Sequence, residues 1–105
     1  MSTLRPPGFL AAPTAGESGL SVLEHEMLAE KAASLGRAGD KAARDVARLR
    51  SCPPDSPERP ALLKQAAASV HGFFIQRELC GLRRHADIIR ELGIPPEVLA
   101  RLGAA

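Results

Sequence analysis

Apolar and small residues recur at alternating spacings of four and three along the first half of the chain: Leu28, Ala32, Leu35, Gly39, Ala42, Val46 and Leu49. This heptad pattern predicts a helix with one narrow face against a second helix, and small residues on that face favour close approach. We predict the helix over residues 19–50, with Ser18 as its N-cap. Two pairs of opposite charge, Asp40 with Arg44 and Lys41 with Asp45, are each four residues apart and support it as ion pairs. Gly36 and Gly39 disfavour helical geometry, so a kink at these residues is an alternative to a straight helix.

A proline-rich stretch then interrupts the pattern. The sequence SCPPDSPERP, residues 51–60, contains four of the nine prolines. Proline has no N–H to donate and disfavours helical geometry in the preceding residue, so the first helix should end here. Ser56 followed by Pro57 is typical of an N-cap and a first helical position. Because the connection is short, the second helix should return antiparallel to the first.

The second half of the chain has two apolar stripes that differ in phase. One comprises Leu63, Ala67, Val70 and Phe74, and the other comprises Ile75, Leu79, Leu82, Ala86 and Ile89. Either one helix has a wide apolar face, or it breaks near Cys80–Gly81. We predict a continuous helix over 58–92, ended by Gly93 in the left-handed conformation. A short last helix is predicted over 96–102.

These elements predict an all-α protein of 105 residues, a long antiparallel helical hairpin with a short C-terminal helix. The chain contains three Phe and no Trp or Tyr, so the core depends mainly on aliphatic side chains. A hairpin cannot cover a wide apolar face on its second helix, and Val70, Phe73 and Phe74 lie on that face. Dimerisation into a helical bundle is the leading expectation. Another protein, or the C-terminal helix folding back, is the alternative cover.

Residues 1–18 are rich in Pro, Gly, Ser, Thr and Ala, which predicts a flexible tail before a single domain over 19–105. Phe9 and Leu10 either dock on the helices or remain idle. The N-terminus has no continuous apolar core of a secretory signal, and no run is long enough to span a membrane. Two cysteines are too few for a disulfide framework, so a cytoplasmic protein is expected.

The residues that could bind a metal or act in catalysis do not have partners at the spacing that such a site requires. The three histidines, His25, His71 and His85, have no acid or second histidine at a ligand spacing along a helix. Cys80 lies among apolar residues and is expected to be a buried, inert thiol. Cys52, in the proline-rich stretch, has no base near it in sequence. We therefore expect no metal, no cofactor, no small-molecule ligand and no enzymatic activity.

The C-terminal sequence ADIIRELGIPPEVLARLGAA has the spacing of a helix-turn-helix. Ile89 occupies a position where such motifs usually need a smaller residue, and the second helix presents only one cation, Arg101. The net charge of +2 is also small for a nucleic-acid binder. A basic cluster at Arg77, Arg83, Arg84 and Arg90 has acids interleaved, and Arg83 can pair with Asp87 four residues on.

Three stretches, EKAASLGR, FIQRELCGLRRH and ELGIPPEVLARLG, resemble a small family of uncharacterised bacterial proteins, a domain of unknown function. The resemblance implies a small helical cytoplasmic protein and no activity. Our hypothesis is a protein-interaction or regulatory module that binds itself or another protein. The candidate partner-binding residues are Val70, Phe73, Phe74, Arg77, Arg83 and Arg84. The alternative is a DNA-associated regulator that uses the C-terminal segment, although nucleic acid is the less expected partner.

Overall fold

The computed structural model describes the backbone of residues 15–104 and the side chains of residues 21–104. Its helices are α1 (Ala15–Ser51), α2 (Arg59–Leu79), α3 (Ala86–Leu92) and α4 (Pro96–Leu99), and no strand occurs within that range. The prediction of an all-α fold is confirmed.

The start of the first helix corrects one prediction. Ser18 lies inside α1 and therefore does not cap it. Residues 15–18 of the predicted tail are likewise helical, whereas Phe9 and Leu10 lie outside the described residues. The helix is continuous through Gly36 and Gly39.

The chain divides into two compact units, the first ending at Glu30 and the second beginning at Lys31. In the first unit, residues 21–30 are one helical segment in which every side chain is exposed. The imidazole of His25 hydrogen-bonds the carbonyl of Ser21 along this segment, with 2.9 Å between Nδ1 and O. The second unit contains the rest of α1 and the three other helices.

Within the second unit, α1 and α2 form the predicted antiparallel hairpin. Ser34 donates a hydrogen bond to Gln76 at 3.0 Å, five residues before Gly39 packs on the ring of Phe73. As the position on α1 advances, the partner position on α2 recedes, which is the register of antiparallel helices. A Cβ built on Gly39 would lie 3.1 Å from the Phe73 ring, so the small residue allows this close approach.

The core of the second unit lies where α1, α2 and the C-terminal segment meet. Its buried apolar residues are Ala42, Val46, Leu49, Ala66, Ala67, Val70, Phe73, Phe74, Ile94 and Val98. The heptad pattern identified the α1 contribution from Ala42 onward. Asp45 is also buried, and its predicted pair with Lys41 is present at 3.4 Å. The other predicted pair, Asp40 with Arg44, is not formed, and both of these side chains are exposed.

The prediction that the second helix is continuous is wrong, because α2 ends at Leu79 and α3 begins only at Ala86. Gly81 has φ of +89°, which a side chain other than glycine rarely adopts. The amides of Gly81 and Leu82 bond back to the carbonyls of Glu78 and Arg77 at 3.0 and 2.8 Å. This is the Schellman arrangement that ends a helix at a left-handed glycine.

A second turn of the same kind ends α3 at Gly93, with φ of +65°, as predicted. The last helix is shorter than the predicted 96–102, since α4 ends at Leu99 and continues as turns. The carboxylate of Glu97, in the first turn of α4, accepts two hydrogen bonds from the Arg59 guanidinium at the start of α2. This contact lowers the pKa of Glu97 and raises that of Arg59.

Candidate protein-interaction surface

Large apolar side chains remain exposed at the end of α2. Leu79 is 78% exposed, and Ile75 and Leu82 are each more than two-fifths exposed. Two cations, Arg83 and Arg84, follow Leu82 directly and are exposed as well. We call the four residues Leu79, Leu82, Arg83 and Arg84 the connector surface.

Four side chains next to this surface hold the connection from α2 to α3, and we call them the clasp: Phe74, Arg77, Glu78 and His85. The ring of His85 stacks on that of Phe74, with centroids 4.1 Å apart and planes 9° apart. Arg77 donates a hydrogen bond from Nε to Nδ1 of His85 at 3.1 Å and another from its guanidinium to the carbonyl of Arg84 at 2.9 Å. Nε2 of His85 lies 3.0 Å from a carboxylate oxygen of Glu78. The connection is therefore fixed at both ends, by the Gly81 turn and by His85.

The same contacts decide what His85 can do chemically. Because Arg77 donates to Nδ1, that nitrogen accepts, and the proton of the neutral ring belongs on Nε2, where it is donated to Glu78. Both nitrogens are thus engaged within the chain. Neither has a free lone pair with which to remove a proton from a substrate. The arrangement suits a structural clasp rather than a general base.

A groove of about 340 Å³ borders the connector surface. It lies between α1 and the end of α2 in the second unit and is lined by Lys31, Ser34, Gln76, Leu79 and Cys80. The hydrogen bond between Ser34 and Gln76 crosses its floor. Leu79 provides the largest exposed apolar side chain on its wall.

The structure separates the six candidate partner-binding residues into two groups. Val70, Phe73 and Phe74 are buried at 7% exposure or less, so the expectation that they form an uncovered face is corrected. Phe73 is covered by α1, where Gly39 lets the two helices approach, and Phe74 is covered by the ring of His85. The large apolar side chains of α2 that are exposed are instead those of Ile75 and Leu79.

The three cationic candidates lie at or beside the exposed region. Arg77 is half-buried in the clasp, with its guanidinium carbon 5.8 Å from the centre of the Phe73 ring, whereas Arg83 and Arg84 are exposed. The predicted pairing of Arg83 with Asp87 is wrong, because the carboxylate of Asp87 is bonded by Arg90. That a partner binds these residues stays a prediction.

A second exposed apolar group lies on the first unit. Val22, Leu23, Met27 and Leu28 are each between 57% and 63% exposed. Leu23 and Met27, four residues apart, lie on one side of α1, and Leu28 lies about 100° further around the helix. We call residues 21–30, with these three side chains, the acidic segment, because it contains Glu24, Glu26 and Glu30 and no Lys or Arg.

A family described as "Family of unknown function (DUF6665)" matches residues 8–105. The chain belongs to this family. The predicted resemblance to a domain of unknown function is therefore confirmed. A search of the curated proteins and a search of the solved structures found no significant match.

Membership of the DUF6665 family assigns no site, so candidate sites rest on the geometry. Within residues 15–104, no three His, Cys, Asp or Glu side chains are grouped to hold a metal ion. In the same range no helix is long and apolar enough to cross a bilayer. Cys80 is exposed, which corrects the prediction of a buried thiol, and Cys52 is half-buried; both are free.

In this DUF6665 protein, the helix-turn-helix-like segment has geometry that gives no support to DNA recognition. The element in the recognition position, α4, has only four residues, which is about one turn. Its Val98 is buried and its Glu97 is held by Arg59, so the element is committed to the core.

Sequence reasoning missed the clasp, although two signals were present. The first signal was Gly81, a glycine inside an apolar pattern, which indicates a break. The second was His85, which follows Gly81 closely. The stack of His85 on Phe74 joins residues 11 positions apart across a non-helical turn, and no helical periodicity predicts such a contact.

Proposed function

We propose that this protein is a protein-interaction module without catalytic activity, and that the connector surface is its binding surface. The observation that carries the proposal is the exposure of Leu79, at the end of α2, and of Leu82, on a connection that the chain itself holds in place. Exposed apolar groups flanked by polar ones are typical of protein-binding surfaces.

Rigidity supports a binding role because it reduces the entropic cost of association. A surface that is already ordered loses less conformational freedom on binding than a mobile loop does. The Gly81 turn and the hydrogen bonds from Arg77 fix the backbone on both sides of Leu82. Leu82, Arg83 and Arg84 are therefore presented in one arrangement.

Charge supports the choice of partner. Exposed Arg83 and Arg84 favour a partner that offers carboxylates around an apolar centre. Such rim charges mainly increase the association rate and exclude wrong partners, while the leucines supply the buried area. Two free cysteines, one exposed, are typical of a protein in a reducing compartment, so we place the interaction in the cytoplasm.

Site-specific photo-crosslinking in cells that produce the protein tests this proposal. A photoreactive residue replaces Leu79 in one variant and Leu82 in another, and Asp55, an exposed residue of the α1–α2 connection, serves as the matched control. We expect adducts of discrete mass from positions 79 and 82 and none from position 55. The adduct from position 79 should be lost when Leu82→Asp is introduced into the same chain.

Two results would contradict the proposal. Adducts of the same masses and yields from all three positions would indicate nonspecific collision. The absence of adducts from positions 79 and 82 would show that nothing binds the connector surface.

A further inference from the structure

The acidic segment has apolar side chains that the described part of the chain leaves uncovered. All of its side chains, residues 21–30, are exposed, including the apolar Leu23, Met27 and Leu28. The segment belongs to the 37-residue helix α1, and its apolar side chains are exposed to water. Because burial of exposed apolar area is favourable, the segment favours association with a surface that complements it.

The charges of the chain indicate which surface that is. The acidic segment contains three Glu and no Lys or Arg, whereas residues 31–105 contain thirteen Lys and Arg against eight Asp and Glu, a net of +5. The exposed apolar residues of the connector surface are bordered by Arg83 and Arg84, and Lys31 lines the adjoining groove. An apolar stripe with acids beside it thus matches an apolar patch with cations beside it.

We propose, on the basis of the function proposed above, that the partner of the connector surface is the acidic segment of a second copy of this chain. Leu23, Met27 and Leu28 of one copy pack on Leu79 and Leu82 of the other. Glu24 and Glu26 face Arg83 and Arg84 across the contact. The helical segment and the connector surface become covered in the same event.

The available area is sufficient for such a dimer. In a two-fold dimer each copy contributes both surfaces, because an isologous contact occurs twice. With Ile75 included, twelve large apolar side chains that each expose roughly 100 Å² give about 1,200 Å², which reaches the lower range of specific interfaces. An interface of this size is typical of a dimer that forms reversibly at micromolar concentrations.

Charge reversal tests the pairing rather than association alone. One variant of the full chain carries Glu24→Lys and Glu26→Lys, and another carries Arg83→Glu and Arg84→Glu. Sedimentation velocity at protein concentrations from about 1 to about 500 µM gives the dissociation constant of each. We expect the wild type to dimerise and each variant to bind itself at least about tenfold more weakly, since like charges meet at both contacts.

The decisive sample is an equimolar mixture of the two variants. In the mixed dimer, one contact joins introduced Lys to introduced Glu, and the other joins native Glu to native Arg. We therefore expect the mixture to recover dimer with an affinity near that of the wild type. A single chain with all four substitutions should recover dimer as well.

Matched controls separate pairing from general charge effects. Asp55→Lys with Glu58→Lys changes the charge by the same amount on exposed acids of the α1–α2 connection. Arg44→Glu with Arg48→Glu does so on exposed cations of α1. We expect both controls to dimerise like the wild type. Circular dichroism of every variant confirms that the helices are retained.

Three results would overturn the proposal. They are a wild type that stays monomeric to about 500 µM, reversal variants that dimerise like the controls, and a mixture that remains as weak as its components. Adducts with a different protein from positions 79 and 82, together with a monomeric wild type, would overturn self-association and leave the proposed interaction function standing. A monomer without adducts would remove both.

Discussion

The two glycine turns of the second unit have the same backbone hydrogen bonds and opposite surroundings. Gly81 and Gly93 both have positive φ, and in each turn the next residue donates to a carbonyl five positions back. After Gly93 that residue is Ile94, which is buried in the core; after Gly81 it is Leu82, which is exposed. A Cβ on Gly93 would meet the Arg50 guanidinium, whereas one on Gly81 would meet nothing within 4 Å.

This difference teaches that the local motif determines where a helix ends but not what the turn is for. The Schellman arrangement satisfies backbone groups in either setting. At Gly93 the following apolar residue closes the core of the same chain. At Gly81 it is left on the surface, where a partner can bury it.

The largest effect expected is at the residues that follow the glycines. Ile94→Ala removes a buried side chain and should lower the free energy of unfolding by about 2–5 kcal/mol. Leu82→Ala removes an exposed one and should change it by no more than about 0.5 kcal/mol. Urea denaturation at low protein concentration measures both without a contribution from self-association.

Equal losses at the two positions would contradict the comparison. They would mean that Leu82 is buried within its own chain, and the connector surface would then lose its apolar centre.

A smaller effect is expected at the glycines themselves. Gly81→Ala forces a left-handed conformation on a residue with a Cβ, at a cost of about 1–2 kcal/mol. Gly93→Ala carries the same strain and also displaces Arg50, because Nη1 of its guanidinium would clash with the new Cβ. Because that atom is the far end of a flexible side chain, the additional cost should be no more than about 1 kcal/mol.

A double-mutant cycle isolates this additional cost. In an Arg50→Ala background, Gly93→Ala should cost about as much as Gly81→Ala does, since only the backbone strain remains. An unchanged gap between the two glycines in that background would show that Arg50 is not its cause.

The sequence predicts these turns where local interactions determine them and does not predict the tertiary contacts around them. Gly93 was predicted as a helix end from a local property, the preference of glycine for the left-handed conformation that closes a helix. The break at Gly81 was missed because Leu79 and Leu82 continue the three-residue spacing of a helix across it. The local turn at Gly81 ends the helix, and the stack of His85 on Phe74, a tertiary contact, holds the connection that follows it.

The same distinction explains the partner-binding residues. Periodicity correctly placed Phe73 and Phe74 on the apolar side of α2 and Gly39 among the small positions of α1. It did not reveal that Gly39 lies against the ring of Phe73 and that α1 therefore covers this side chain. Periodicity reports which residues avoid water, and it does not report whether the covering surface belongs to the same chain.

The smallest effect expected is a dependence of stability on pH. It concerns α4, which follows the turn at Gly93. Arg59 holds the pKa of Glu97 below its usual 4.5 through their side-chain hydrogen bonds. On acidification the unfolded chain therefore binds a proton at this carboxyl before the folded chain does. The stabilisation is fully present above about pH 4.5 and is lost as the pH falls through the folded pKa.

Glu97→Gln should remove this dependence. Urea midpoints measured from about pH 7 to about pH 3 should show the variant below the wild type at the upper end, with the two converging at the lower end. The gap should be small, because the pair is only partly shielded from water. Glu91→Gln, at an exposed acid of α3, is the matched control and should keep a constant offset. A constant offset for Glu97→Gln as well would show that the contact with Arg59 does not couple folding to pH.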